Sequence, residues 1–146
     1  MIDFEVLPHT ADIKIRAYGA TKKELFCNAL IGMFQAVQPI AVGCYIENDR
    51  VICAELLESH DVEIKALDEE SLLVDFLSEA LYLSDVHNEA YLNAVIHELT
   101  DTQIKATLYG VQITGFAVVE IKAVTYHELA IKKNNNGWQV DIVFDI

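Results

Sequence analysis

The sequence predicts an α+β fold, a single domain in which an antiparallel or mixed β-sheet carries two main α-helices. Two stretches repeat apolar residues at helical spacing behind capping residues, and several others alternate apolar and polar residues with the period of a half-buried strand. Strands and helices do not alternate regularly enough for a doubly wound parallel sheet. A chain of 146 residues suits one ordinary core, and no linker, repeat or low-complexity segment divides it. Residues 1–146 are therefore read as one domain.

Phe4–Leu7 is the first expected strand. Ile13, Ile15 and Ala17 then alternate with Lys14, Arg16 and Tyr18 before the turn residue Gly19, giving the second. Thr21 and Glu24 have the form of a capping box, in which hydroxyl and carboxylate satisfy amide donors at a helix start. Leu25, Phe26, Ala29, Leu30, Met33, Phe34 and Val37 follow at helical spacing, and Pro39 closes the helix. Val51, Cys53 and Glu55, then Val62, Ile64 and Ala66, suggest two strands joined by a polar Glu58-Ser59-His60-Asp61 turn. Asp68 is placed to cap a second helix with the broad stripe Leu72, Leu73, Phe76, Leu77, Ala80, Leu81 and Leu83, ending near Ser84-Asp85. Strands over Leu92–Leu99 and Gln103–Leu108 lead to a closing hairpin, Thr125–Lys132 with Trp138–Phe144, around Asn134-Asn135-Asn136-Gly137.

Composition narrows the function. The apolar residues, 53% of the chain, are spread out and form no uninterrupted span of about 20, so no membrane helix and no membrane partner is expected. The start, Met1-Ile2-Asp3-Phe4-Glu5, carries acids where a secretory signal carries a basic region, which predicts a cytoplasmic protein. Cys27, Cys44 and Cys53 are odd in number, contain no Cys-x-x-Cys pair, and read as buried free thiols. Ten Lys and Arg against 23 Asp and Glu give a formal charge of −13. Phosphate backbone is repelled overall, so no direct tight nucleic-acid binding is expected, and a basic protein partner or a hard cation suits the surface better.

Motifs for catalysis fail on spacing. His97-Glu98 and His127-Glu128 begin like zinc-protease helices, but Asp101 and Ile131 stand where the second histidine belongs. Gly110 and Gly115 have the separation of phosphate-loop glycines, yet Phe116-Ala117 replaces the lysine and hydroxyl residue. No nucleophile signature surrounds the cysteines.

The acids at the two ends of the chain are more specific. An apolar run, Ile142-Val143-Phe144, delivers Asp145 and then the Ile146 carboxylate, and a terminal strand held in a sheet would fix these charges side by side. Fixed paired carboxylates repel unless a cation or proton lies between them. Asp12 opens a strand after the His9-Thr10-Ala11 turn, and if the terminal strands are neighbours, Asp12, Asp145 and Ile146 form an all-oxygen site suited to calcium or magnesium. The alternative reading is a strand cap and an exposed acidic end.

Four blocks, in order, resemble the archease family: His9-Thr10-Ala11-Asp12-Ile13; Leu72–Leu77 with Glu79–Leu83; Glu120–His127; and Val143-Phe144-Asp145-Ile146. Segments 37–58 and 110–119 carry little of the pattern. The resemblance implies an accessory factor, not an enzyme, that activates an RtcB-type tRNA-splicing ligase: it promotes the ligase's guanylylation and turnover and broadens its use of nucleotides. It implies a bound divalent cation, calcium first and magnesium second, on Asp12, Asp145 and Ile146, and hence a functional chain end. Lys122 and His127 lie in a family block and are candidates for partner contact or for support of the site, as are Asp75 and Glu79 one helical turn apart. Two other classes stay open, a metal-dependent phosphoryl-transfer or hydrolytic enzyme using the same acids and a general chaperone-like interaction module.

Overall fold

The computed structural model describes residues 2–8 and 11–146. In chain order its elements are β1 (Phe4–Leu7), β2 (Ile13–Gly19), α1 (Lys22–Val37), β3 (Pro39–Ile40), β4 (Cys44–Glu47), β5 (Arg50–Cys53), β6 (Glu58–Lys65), α2 (Glu69–His87), β7 (Glu89–Leu99), β8 (Gln103–Gln112), β9 (Gly115–Phe116), β10 (Ala123–Val124), β11 (Lys132–Asn134) and β12 (Gly137–Asp145). The first sheet runs β1-β2-β12-β10 with β11 added to β12, and the second runs β6-β8-β7. Every strand pair among the described residues is antiparallel. The α+β class expected from the alternation of patterns is the one observed.

Period-two patterning orients the first sheet. Ile15 and Ala17 in β2 lie opposite Ile142 and Val140 in β12, and all four are buried. Their neighbours Lys14, Arg16 and Asp141 fall on the outer face, because successive residues of a strand point to opposite sides. Helix α1 covers the inner face and packs against β7 of the second sheet on its other side. This explains why Leu25, Phe26, Ala29, Leu30, Met33, Phe34 and Val37 are all inaccessible to solvent. Phe34 meets Tyr91 edge-on with centroids 5.6 Å apart, and Phe26 meets Phe76 of α2 at 6.2 Å. Gly19 ends β2 because a Cβ there would collide with the Leu25 backbone at the start of α1.

Caps fix both helices. Thr21 Oγ1 accepts from the Glu24 amide at 3.2 Å, and Asp68 Oδ1 accepts from the Ser71 amide at 2.8 Å. That bond holds the Asp68 carboxyl below its ordinary value. Gln38, left-handed at φ 54°, and then Pro39 end α1; α2 runs past Ser84-Asp85 to His87 and ends on left-handed Asn88.

Three expectations are corrected. Glu58–Asp61 is the first half of β6 instead of a turn, because Ser59, Asp61 and Glu63 occupy an exposed outer face while His60 and Val62 turn inward. The Arg50–Cys53 strand pairs with β4, not with β6. The expected Thr125–Lys132 strand is mostly loop: Tyr126 and Leu129 close a turn at 3.1 Å with Glu128 in left-handed geometry, and pairing resumes only at β11. Cysteines also differ from expectation. Cys44 and Cys53 are directly paired residues of the β4–β5 hairpin and form a disulfide, while Cys27 is a half-buried free thiol whose pKa burial pushes up. The His9-Thr10 part of the turn expected before Asp12 lies outside the described residues.

Candidate metal centre

The two strands that carry the candidate ligands are neighbours. Ile13 lies opposite Phe144 and Lys14 opposite Val143, so Asp12, just before Ile13, and Asp145, just after Phe144, lie at the same end of neighbouring strands. On the other flank β10 sets Ala123 opposite Asp145, whose carbonyl accepts from the Lys122 amide at 2.8 Å. Alternation along each strand assigns both positions to the outer face, away from Ile15 and Phe144. Asp12 is half-buried with its Oδ1 shielded from solvent, whereas Asp145 and Ile146 are exposed. Ala11, just before Asp12, has φ 78°. A Cβ in that left-handed region costs about 1–2 kcal/mol, and such strain is concentrated at functional sites.

The donor set fits a hard cation. Two carboxylates and the main-chain oxygens of Ile146 offer only oxygen, as calcium and magnesium require. Among the described residues no group of three His, Cys, Asp or Glu side chains is arranged to hold a metal ion.

The other candidates separate. Lys122 is tied to the row through its amide, and its side chain is exposed along a cleft of about 580 Å³ between α2 and the 113–124 segment, lined also by Tyr82, Asp85 and Phe116. His127 is exposed in the Tyr126–Leu129 turn, its ring 3.9 Å from the Glu128 carboxylate. That turn is tethered to β12 through the Thr125 hydroxyl, which donates to the Val143 carbonyl at 3.0 Å. Asp75 and Glu79 line a shallow surface pocket with Glu63 and Lys65 beside β6 and are not brought to the row.

Two polar constellations went unread in the sequence. On the outer face beside the carboxylate row, Arg16 donates to both oxygens of Asp141 at 2.6 and 2.9 Å, with Lys14 at 3.8 Å. The Arg16 hydrogen bond holds the Asp141 carboxyl below its ordinary value. Deeper in the molecule, Glu89 is 2% exposed and accepts from Tyr91 Oη at 2.8 Å and Gln112 Nε2 at 3.1 Å, with His60 Nε2 at 2.6 Å. Burial raises the Glu89 pKa, but bonds from Tyr91, His60 and Glu58 outweigh it and hold the group low. Glu58 is raised by its hydrogen bond to Glu89. Only the pairing registers, absent from a single sequence, bring these residues together.

A family model described as the archease protein family (MTH1598/TM1083) matches residues 4–146. The protein archease of Methanosarcina acetivorans is 40% identical, with 98% of this chain and 95% of that protein covered. The protein archease of Pyrococcus abyssi is 32% identical with 98% of each covered. Protein 1598 of Methanobacterium thermoautotrophicum, known from a solution structure, superposes with a TM-score of 0.74 at 29% identity over 99% of each chain. The Thermotoga maritima protein TM1083, described as an archease and possible chaperone, shares the fold at a TM-score of 0.61 and 20% identity, with 97% of this chain and 96% of that one covered.

Proposed function

The chain belongs to the archease family, and from that premise we propose that it is an accessory factor of an RtcB-type RNA ligase, with a divalent cation held on Asp12, Asp145 and the main chain of Ile146. The observation that carries the reading is the pairing of β2 with β12, which brings the strand ends next to Asp12 and Asp145 together, Ile13 opposite Phe144. Two carboxylates fixed side by side on a rigid sheet are poised for positive charge. Bound there, calcium or magnesium would supply charge to phosphate oxygens at the partner's reacting centre.

The chain's own residues do the positioning. β12 is held between β2 and β10, and Asp145 itself is paired with Ala123 of β10. Arg16 and Lys14 are directed to Asp141, further along the same face. A charge of −13 suits docking against a basic, RNA-handling partner. The description of the Thermotoga maritima protein as a possible chaperone accords with action on another protein. Cytoplasmic placement belongs to the same reading, and among the described residues no helix is long and apolar enough to cross a membrane.

Calorimetric titration with calcium, then with magnesium, tests the cation. We expect binding by the parent chain and a loss of affinity of at least tenfold in Asp12→Asn and in Asp145→Asn. Undiminished affinity in both variants would contradict the assignment.

A further inference from the structure

The β4–β5 hairpin pairs with no other strand among the described residues. Its turn, Asn48-Asp49, has both residues in the left-handed region at φ 52° and 62°, as a tight two-residue hairpin loop requires. Attachment to the body runs through β5. Gln35 of α1 bonds the Val51 amide and carbonyl at 2.7 and 2.9 Å. Arg50 donates to both oxygens of Asp3 at 3.3 and 2.9 Å, its guanidinium 4.7 Å from the Phe4 ring centroid. β4 is the outer strand: Tyr45 and Ile46 are 58% and 53% exposed. It is fastened by its ladder to β5 and by the Cys44–Cys53 disulfide.

That bond sits at the open end of the ladder. Just beyond it the Gly43 carbonyl accepts from the Ala54 amide at 3.1 Å. Hydrogen-bonded and non-hydrogen-bonded pairs alternate, so Cys44 and Cys53 form a pair of the second kind, whose side chains approach most closely. The turn, Gln35 and Arg50 hold this register without help from sulfur. Two thiols here therefore stay opposite each other once the bond is broken, and closing it again needs no refolding. Both cysteines are half-exposed between the exposed residues Gly43, Tyr45, Ile52 and Ala54, which gives an attacking thiolate the access that exchange requires.

We propose that Cys44 and Cys53 form a reversible dithiol–disulfide couple, a redox-sensitive clasp that fastens β4 to the anchored β5 and is opened by a dithiol reductant. A thiolate of the reductant attacks one of the two sulfurs; the S–S bond breaks, and the other cysteine leaves as a thiolate and takes up a proton. The reductant's second thiolate then attacks the mixed disulfide, which frees the first cysteine to be protonated and leaves the reductant as its own disulfide. Two electrons have passed to the chain. Because β5 stays docked, the domain remains folded and only β4, with Tyr45 and Ile46, gains freedom. On the cytoplasmic reading a disulfide is expected to be of this transient, redox-sensing kind. The proposal goes beyond the ligase reading, since neither cation nor partner enters it.

The test uses the full chain carrying Cys27→Ser, so that only the couple can supply thiols. After treatment with oxidised glutathione, iodoacetamide should add no label by mass. After dithiothreitol without denaturant it should label both cysteines, and returning unlabelled reduced chain to oxidised glutathione should restore the unreactive form. Circular dichroism should be the same in the two states. Hydrogen exchange at the Tyr45 and Ala54 amides should be about tenfold faster in the reduced form, as expected of local opening, while the Val51 amide bonded to Gln35 stays protected. Cys53→Ser, or Cys44→Ser if that variant is poorly folded, should exchange like the reduced form and ignore the reductant. Labelling before reduction, no labelling without denaturant, failure to reclose, or Tyr45 and Ala54 exchange that is equal in both states would overturn the proposal.

Discussion

Replacing Glu89 by alanine is the sharpest test of the way the three strands of the second sheet are tied together at one end. The side chain is 3% exposed and is bonded by Tyr91 Oη at 2.8 Å and Gln112 Nε2 at 3.1 Å, with His60 Nε2 at 2.6 Å. Truncation removes a carboxylate shared by β6, β7 and β8 and leaves the hydroxyl of Tyr91, itself fully buried, without its acceptor. Hydrogen bonds to a charged group contribute about 1.5–3 kcal/mol each, and breaking a buried charged network by removing one partner costs roughly 3–5 kcal/mol. For a domain of this size the melting temperature should fall by roughly 10 °C. Glu89→Gln keeps one acceptor oxygen and should lose about half as much. The sign with pH follows from the depressed pKa of Glu89: its stabilisation is present above the ordinary glutamate value and is lost as pH falls through the depressed folded value. Glu58 acts in the opposite sense, because its raised pKa favours folding below the ordinary value and that contribution is lost as pH rises through the folded one. Thermal unfolding at neutral and at acid pH, followed by circular dichroism, measures both effects. An Ala variant within 1 kcal/mol of the parent at neutral pH would refute the reasoning.

Asp141→Asn should cost about 1 kcal/mol at neutral pH, since the two-point pair with Arg16 is partly exposed. The difference should vanish as pH falls through the depressed Asp141 value, where the parent loses the same charge; a constant difference down to acid pH would sink this idea. Gln35 is buried and bonds both the carbonyl and the amide of Val51, at 2.9 and 2.7 Å, thereby docking the β4–β5 hairpin onto α1. Gln35→Leu strands that peptide and should cost about 2 kcal/mol, with faster hydrogen exchange at the Val51 amide as the local readout; parent-like protection there would argue against the dock.

Features encoded locally were legible from residues alone. Thr21, Asp68 and Pro39 carry capping or helix-stopping chemistry in their own side chains, so both helices emerged close to their observed limits. Alternation around Ile13–Ala17 and Trp138–Phe144 identified the strands that form the centre of the first sheet. Partner choice was a different matter. Glu58–Asp61 looked like a turn because all four of its residues are polar, Ser59 and Asp61 facing solvent and Glu58 and His60 facing Glu89. Tyr126–Ile131 looked like strand although none of the described strands pairs with it, and a period-two pattern cannot reveal that. Cys44 and Cys53 needed the β4–β5 register before they could be recognised as a pair. For the candidate metal centre, the residue types of Asp12 and Asp145 were legible in the charge pattern, while the adjacency of the strands that lead to them awaited the antiparallel pairing of β2 with β12.

The central claim is that this chain acts on an RtcB-type ligase instead of on a substrate of its own. Multiple-turnover RNA joining by the purified ligase from the same source, with calcium or magnesium and with or without an equimolar amount of this chain, tests it most directly. The account predicts that each ligase molecule joins several-fold more RNA when the chain is present and that Asp145→Asn loses most of that gain. Superimposable progress curves with and without the folded parent chain would contradict it.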